Sequence, residues 1–297
     1  MAGSEHLGGG RTPLSTRIIG ASDMARMVEI VGRDEFMDLM IESLRDRFER
    51  FDPANVQVRA RDGFRYDKPD LGLIEWMPTH EVSGPVVVKM VGYHPTNPVQ
   101  RRLPSVIATS AMWDTTSGHL VTLGDSTLLT SVRTGAASAI ATDLLARSGP
   151  VRLGVIGLGA QAVTQIHAIS RVREIERIIA IDIDDDVAAS LPERIAFIGA
   201  DVEVVDSARA ATIVSEVDVL CTCTSVDIGA GPVIGEAPPR PWLHWIRHIG
   251  PTGLGLGRAS PPGSSPAWHR PVRRQRSRDR MGPSAAPPRR PGRSGAH

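Results

Sequence analysis

The sequence predicts an α/β protein: an N-terminal α+β domain followed by a doubly wound parallel sheet. Three observations carry this. An apolar run, Leu153-Gly154-Val155-Ile156, ends in Gly157-Leu158-Gly159-Ala160-Gln161-Ala162 and passes directly into a helical pattern. That strand–turn–helix context is what gives a G-x-G-x-x-A string its meaning. From Val151 onward strand-like and helix-like segments alternate, which implies a parallel sheet covered by helices. Before that point, four strand-like runs follow two helical ones, linked by Gly, Pro, Asn and Asp turns, the arrangement of a separate α+β unit.

Residues 1–16 are rich in Gly and Ser, have no apolar period, and read as a flexible arm. Ser22-Asp23 caps a helix running through Val28. Arg33-Asp34-Glu35 opens a second, with Phe36, Leu39, Met40, Leu44 and Phe48 at helical spacing. Residues 53–70 are polar and read as loop. Strands are expected at Leu71–Met77, Pro85–Gly92, Ser105–Asp114 and His119–Leu123, then a long Ala- and Leu-rich helix at Thr127–Arg147. In the second half, strands are expected near 152–157, 177–182, 202–205 and 218–223, with helices near 160–171, 185–191 and 207–215.

After His244 this pattern stops. Residues 245–297 hold eleven Arg, no Lys and the single acid Asp279, a net charge of +10 in a chain whose total is +1. The remainder is therefore acidic, like an ordinary soluble enzyme. The Arg/Pro/Gly/Ser composition beyond position 245 predicts disorder rather than a nucleic-acid-binding arm. No further strand is expected there, so the sheet is expected to be truncated. No apolar run approaches the roughly 20 residues of a membrane span. The start lacks the basic-then-apolar order of a secretory signal, and Cys221 and Cys223 read as buried strand residues, so a reducing cytoplasmic setting is expected. No metal site is expected.

The glycine string has a chemical reading. The first Gly permits the tight turn, the second lets the backbone approach a pyrophosphate, and Ala162 lets helix and strand pack closely. The helix N-terminus favours the phosphate charge. The next apolar strand, Ile178-Ile179-Ala180-Ile181, ends in Asp182, an acid that suits the ribose hydroxyls of NAD and repels the 2′-phosphate of NADP. Together these residues predict a Rossmann-type NAD site. Thr224-Ser225, past the fourth strand, is an expected cofactor edge.

Three charges stand out upstream: Glu75 within Leu71–Met77, Lys89 after Val86-Val87-Val88, and Arg133 on the helix entering the nucleotide domain. A charge in an apolar strand is costly unless paired, so each is half of a buried ion pair, an end-of-strand charge or part of a cleft. Beside NAD, Arg and Lys together suit an α-carboxylate, as a bidentate fork plus a point charge. A nearby acid holds an ammonium group or takes its proton. Such a site fits an amino acid.

The segments Gly72-Leu-Ile-Glu-Trp-Met-Pro78, Lys89-Met-Val-Gly-Tyr-His-Pro95, Arg133-Thr-Gly-Ala-Ala-Ser138, Gly157-Leu-Gly-Ala-Gln161 and Cys221-Thr-Cys-Thr-Ser-Val226 resemble, in order and spacing, the ornithine cyclodeaminase/mu-crystallin family. Ile30-Val-Gly-Arg-Asp34, Arg61-Asp-Gly-Phe64, Ala160-Gln-Ala-Val-Thr-Gln165 and Gly231-Pro-Val233 are most similar to its bacterial lysine cyclodeaminases, which make pipecolate for natural-product assembly. The resemblance covers about residues 17–244. It implies a substrate-binding and dimerisation domain at 17–126, an incomplete NAD-binding domain at 127–244, and a homodimer. It implies that Arg61, Lys89 and Arg133 hold the substrate carboxylate, with Glu75 at its amine and Glu75 and Lys89 as catalytic groups. It also implies that Ser105, Arg133, Thr134, Gly157, Gly159, Ala160, Gln161, Asp182, Thr222, Thr224 and Ser225 line NAD.

The implied reaction oxidises lysine at Cα, closes the ring with loss of ammonia, and returns the hydride to give L-pipecolate. Ornithine, giving proline, differs by one methylene. An imine reductase or amino-acid dehydrogenase shares the scaffold. A non-catalytic NAD-binding protein of the mu-crystallin sort needs the nucleotide fold alone. One departure bears on this choice. The family's acid/base Asp lies in a Gly-x-Asp turn after the fourth strand, and no Asp occurs here between Asp227 and Asp279. From the change of composition at Trp245 a shifted reading frame is expected, and with it impaired turnover.

Overall fold

The computed structural model describes residues 14–225, 233, 234, 244–249 and 253–256; the arm before residue 14 and most of the Arg-rich segment lie outside the described residues. The first sheet begins with β1 (Arg17–Ile19), followed by α1 (Ala21–Val31) and α2 (Arg33–Glu49). Then come β2 (Val56–Val58), β3 (Asp62–Tyr66), β4 (Gly72–Glu81), β5 (Val86–Tyr93), a short α3 (Asn97–Arg101), β6 (Val106–Trp113) and β7 (Leu120–Asp125). The strands lie in the order β1-β7-β6-β5-β4-β2, with β3 also on β4. All pairs are antiparallel except β1 with β7.

Two expectations are corrected in this half. Residues 53–70 are not a loop, because Val56/Val58 and Phe64/Tyr66 alternate and pair with β4. Both are edge strands, where a polar sequence is tolerated. On α2 the buried face is Met37 and Ile41, flanked by Phe36, Met40 and Leu44, whereas Leu39 and Phe48 are about half exposed, at 48% and 54%. The chosen face is the one that meets Ala136, Ala139 and Ile140 of α4 (Thr127–Leu145).

The helix α4 leads into the second sheet: β8 (Val151–Ile156), α5 (Ala160–Ser170), β9 (Ile175–Ile181), α6 (Asp185–Arg194), β10 (Val202–Val204) and β11 (Val219–Thr222). Two further strands follow, β12 (His244–Ile249) and β13 (Gly253–Leu256). The order is β10-β9-β8-β11-β12-β13, parallel up to β12, with β13 antiparallel. Crossovers leave β8 in both directions, as in doubly wound sheets. The sheet therefore does not end at β11 as expected. A short strand needs only a few residues and an open edge, and β11 offers its free edge to residues 244–249. Residues 207–215 form two short 3-10 segments, Ser207–Ala211 and Ile213–Ser215, rather than one helix; Thr212-Ile213-Val214 is a β-branched run that disfavours α-helix.

Side chains alternate between the two faces of this sheet. Leu153, Val155, Ile178, Ala180, Val219 and Cys221 pack with Ala162, Ile166 and Ile169 of α5 and Leu191 of α6. Ile156, Ile179, Ile181 and Leu220 pack with Ile213 and Val217 on the other face. Cys221 and Cys223 are free and buried, and burial pushes the Cys221 thiol up to about 12. Just before β11, Asp218 accepts the Arg152 backbone N–H at 2.9 Å and pairs with Arg147 and Arg152. These partners hold its carboxyl well below the usual range against the cost of burial.

Candidate active site

The glycine turn lies between β8 and β11, where the crossovers diverge and ligands bind in such sheets. Gly157 has φ +85°, and a Cβ there would fall 2.6 Å from the Thr224 backbone nitrogen. Only glycine fits. Its N–H donates to the Ile181 carbonyl at 2.8 Å, tying the turn to β9. At Gly159 a Cβ would meet nothing within 4 Å, so the turn opens there onto free space. Gly159 and Ala160 are both exposed.

Asp182 accepts the Leu158 N–H at 2.5 Å and the Asp184 N–H at 3.0 Å, so both its oxygens already hold backbone. Gln161 points back into the protein, its amide donating to Thr164 Oγ1 at 2.8 Å and to the Ser131 carbonyl at 3.2 Å. The Thr134 hydroxyl donates to the Thr130 carbonyl. Thr222 lies at the carboxyl end of β11 with its hydroxyl buried and without a partner. An open space at the second glycine, a turn that admits only glycine and an orphaned hydroxyl at the strand end together fit a dinucleotide. Among the described residues, no hydrogen bond ties the Ser105 side chain to this cluster; its carbonyl accepts the His94 N–H.

The charged residues gather on one face of the first sheet. In the β4–β5 register Glu75 lies opposite Val91 and Met77 opposite Lys89, so Glu75 and Lys89 share a face, two rungs apart. Arg61, in the turn before β3, sets its Nη1 3.4 Å from Glu75 Oε2. Glu75 is 8% exposed. Burial raises its pKa, and Arg61 opposes the rise. Lys89 is half-buried, and burial together with the charges of Arg133 and Arg61 pushes its ammonium down to about 8. Burial, then Arg61, lowers Arg133 as well. Arg61, Lys89 and Arg133 thus form a cluster of cations that feel one another's charge, with Arg61 also paired to Glu75. Such a cluster strains against itself and is relieved by one more anion.

The two sheets meet through Tyr93, at the end of β5, whose hydroxyl lies 2.7 Å from the Ser225 hydroxyl. Ser225, at the expected cofactor edge, therefore also touches the first sheet. Neither Tyr93 nor Arg194 stands out in the sequence. Tyr93 ends a strand already read as apolar, and nothing near Arg194 marks it.

The sequence profile of the ornithine cyclodeaminase/mu-crystallin family matches residues 21–238. The chain belongs to that family. It is 42% identical over 233 residues to the L-lysine cyclodeaminase of Streptomyces rapamycinicus, a match covering 78% of this chain and 67% of that one. Among solved structures, a lysine cyclodeaminase described for its recognition of L-lysine, L-ornithine and L-2,4-diaminobutyric acid is similar at TM-score 0.70 and 41% identity, over 77% of this chain and 66% of its own. The Thermococcus litoralis Δ1-pyrroline-2-carboxylate reductase, solved with NADH and L-proline, follows at TM-score 0.62 and 32% identity, over 70% and 61%. The chain therefore spans about two thirds of the length of these relatives.

Proposed function

We propose that this chain binds NAD and a diamino acid in the manner of an L-lysine cyclodeaminase, with cyclisation to L-pipecolate and ammonia impaired. The observation that carries the reading is the clustering of Lys89 and Arg133 with Arg61, itself paired to Glu75, at the sheet joined to the nucleotide sheet by Tyr93 and Ser225. Arg133 and Lys89 take the substrate carboxylate, with Arg61 shared between it and Glu75. Glu75, its pKa raised by burial, accepts a proton from the substrate amine. Asp182 takes the ribose and Thr222 lines the cofactor at the end of β11 in this reading. NAD, when bound, supplies hydride acceptance from the substrate Cα and its return. The relatives that support this bind lysine, ornithine and diaminobutyrate in one case and NADH with proline in the other.

Impairment follows from the absent Asp, since general acid–base assistance is typically worth about 10² to 10⁴ in rate. The same absence favours a second reading, a non-catalytic NAD-binding protein. Ornithine is a further candidate substrate, because one methylene discriminates by only about 1–3 kcal/mol. Homodimerisation is supported by the opposite face of the first sheet, where Ile18, Phe64, Ile74, Met90, Ile107 and Leu123 are exposed on one side.

The test combines calorimetric titration with L-lysine and NAD and mass-spectrometric detection of pipecolate, while NADH absorbance is followed. Both ligands should bind, pipecolate should form slowly or not at all, and no NADH should accumulate. Net NADH would mark a dehydrogenase instead, and failure to bind either ligand would overturn the reading.

A further inference from the structure

Arg194 closes α6 and has no part in the reading above, yet its guanidinium reaches across to the glycine turn. Its Nη2 donates to the Leu158 carbonyl at 2.5 Å and its Nη1 to the Gly159 carbonyl at 3.4 Å. The group is itself steered by the Ser190 hydroxyl, 3.1 Å from Nε, and by the Val187 carbonyl, 3.2 Å from Nη2. Asp182 holds the same stretch by the opposite polarity, through the Leu158 N–H. In a trans peptide the carbonyl and the following N–H point in opposite directions. With the Leu158 carbonyl turned to Arg194, and the Gly159 carbonyl turned to Arg194 and to the Ala162 N–H at 3.2 Å, the Gly159 and Ala160 N–H groups point away from Arg194.

We propose that Arg194 is a positioning residue for the dinucleotide, locking the peptides on either side of Gly159 so that their N–H groups face the pyrophosphate. This rests on the NAD reading above. A flexible glycine turn left to itself samples flipped peptides, which would present a carbonyl oxygen to the phosphate. Lysine cannot replace the function, because a single ammonium lacks the planar fork that spans two carbonyls.

The test uses the full chain with Arg194→Met and Arg194→Lys, measuring affinities for NAD and NADP together with amide hydrogen exchange at Gly159 and Ala160 without nucleotide. Both variants should bind NAD about tenfold more weakly, weaken NADP by the same factor, and exchange those two amides faster. Where Arg194→Met lowers the melting temperature, Arg194→Lys serves as the comparison. Unchanged NAD affinity with unchanged exchange would overturn the proposal. So would wild-type affinity in Arg194→Lys, which would make charge alone sufficient. A loss confined to NADP would make Arg194 a 2′-phosphate partner instead. If the unmutated chain fails to bind NAD while the exchange difference persists, the NAD reading fails and the turn-locking contact alone stands.

Discussion

If Lys89 holds a carboxylate, anion binding must follow its protonation. The ammonium is pushed to about 8 by burial and by Arg133 and Arg61. A group titrating there is about nine-tenths protonated at pH 7 and about one-tenth at pH 9. Valerate is a useful probe because it carries a carboxylate and no amine, so the ligand itself does not titrate in this range. Its affinity, measured by calorimetry with NAD present, should fall about tenfold between pH 7 and pH 9. Lys89→Met should bind it weakly throughout, with the pH dependence gone. Lys89→Arg should keep the binding and flatten the profile. Sign and window follow from the same shift. A depressed ammonium means that the unfolded chain holds more protons than the folded one between about pH 8 and the ordinary lysine range. Stability from this group therefore rises with pH across that window, and Lys89→Met should remove that rise. Valerate affinity that ignores pH in the unmutated chain, or valerate that does not bind at any pH, would refute the assignment.

The two glycines of the turn should separate folding from binding. Gly157→Ala places a Cβ 2.6 Å from Thr224 N at φ +85° and should destabilise the protein by at least roughly 1–3 kcal/mol, read as a lower melting temperature. Gly159→Ala meets no protein atom and should melt normally, yet weaken NAD by about tenfold, or about 1.4 kcal/mol. NAD should bind more tightly than NADP, because Asp182 directly follows β9, where a 2′-phosphate would sit; equal affinities in parallel titrations would count against it. Asp218→Ala strands Arg147 and Arg152 at the base of β11 and should cost roughly 2 kcal/mol, below the 3–5 of fully buried pairs because both arginines are partly exposed. Since its folded pKa is depressed, the difference from the unmutated protein in urea melts should hold at neutral pH and shrink only below about pH 4.

Periodicity determined much of this protein from sequence alone. The alternating β8-to-β11 pattern, the glycine turn and the long α4 are local signals, each a few residues of hydrophobic period closed by a turn or a cap. Glu75, Lys89 and Arg133 were legible because a charge inside an apolar strand or an Ala-rich helix conflicts with its surroundings. What the tertiary structure decided depends on partners distant in sequence. Edge strands β2 and β3 are polar enough to pass for loop until β4 is beside them. Burial on α2 follows Ala136 and Ile140, about 100 residues away, rather than the strongest apolar residues, so Phe48 stays exposed. Strands β12 and β13 lie in a stretch whose composition signals disorder, and only the open edge of β11 gives them a place. Asp182, expected at a ribose, also proves to be the acceptor that holds Leu158. Tyr93 and Arg194 act through a hydroxyl 132 residues away and two backbone carbonyls about 35 residues away. Hydrogen bonds across such separations leave no period in the chain, so the fold alone brings them together.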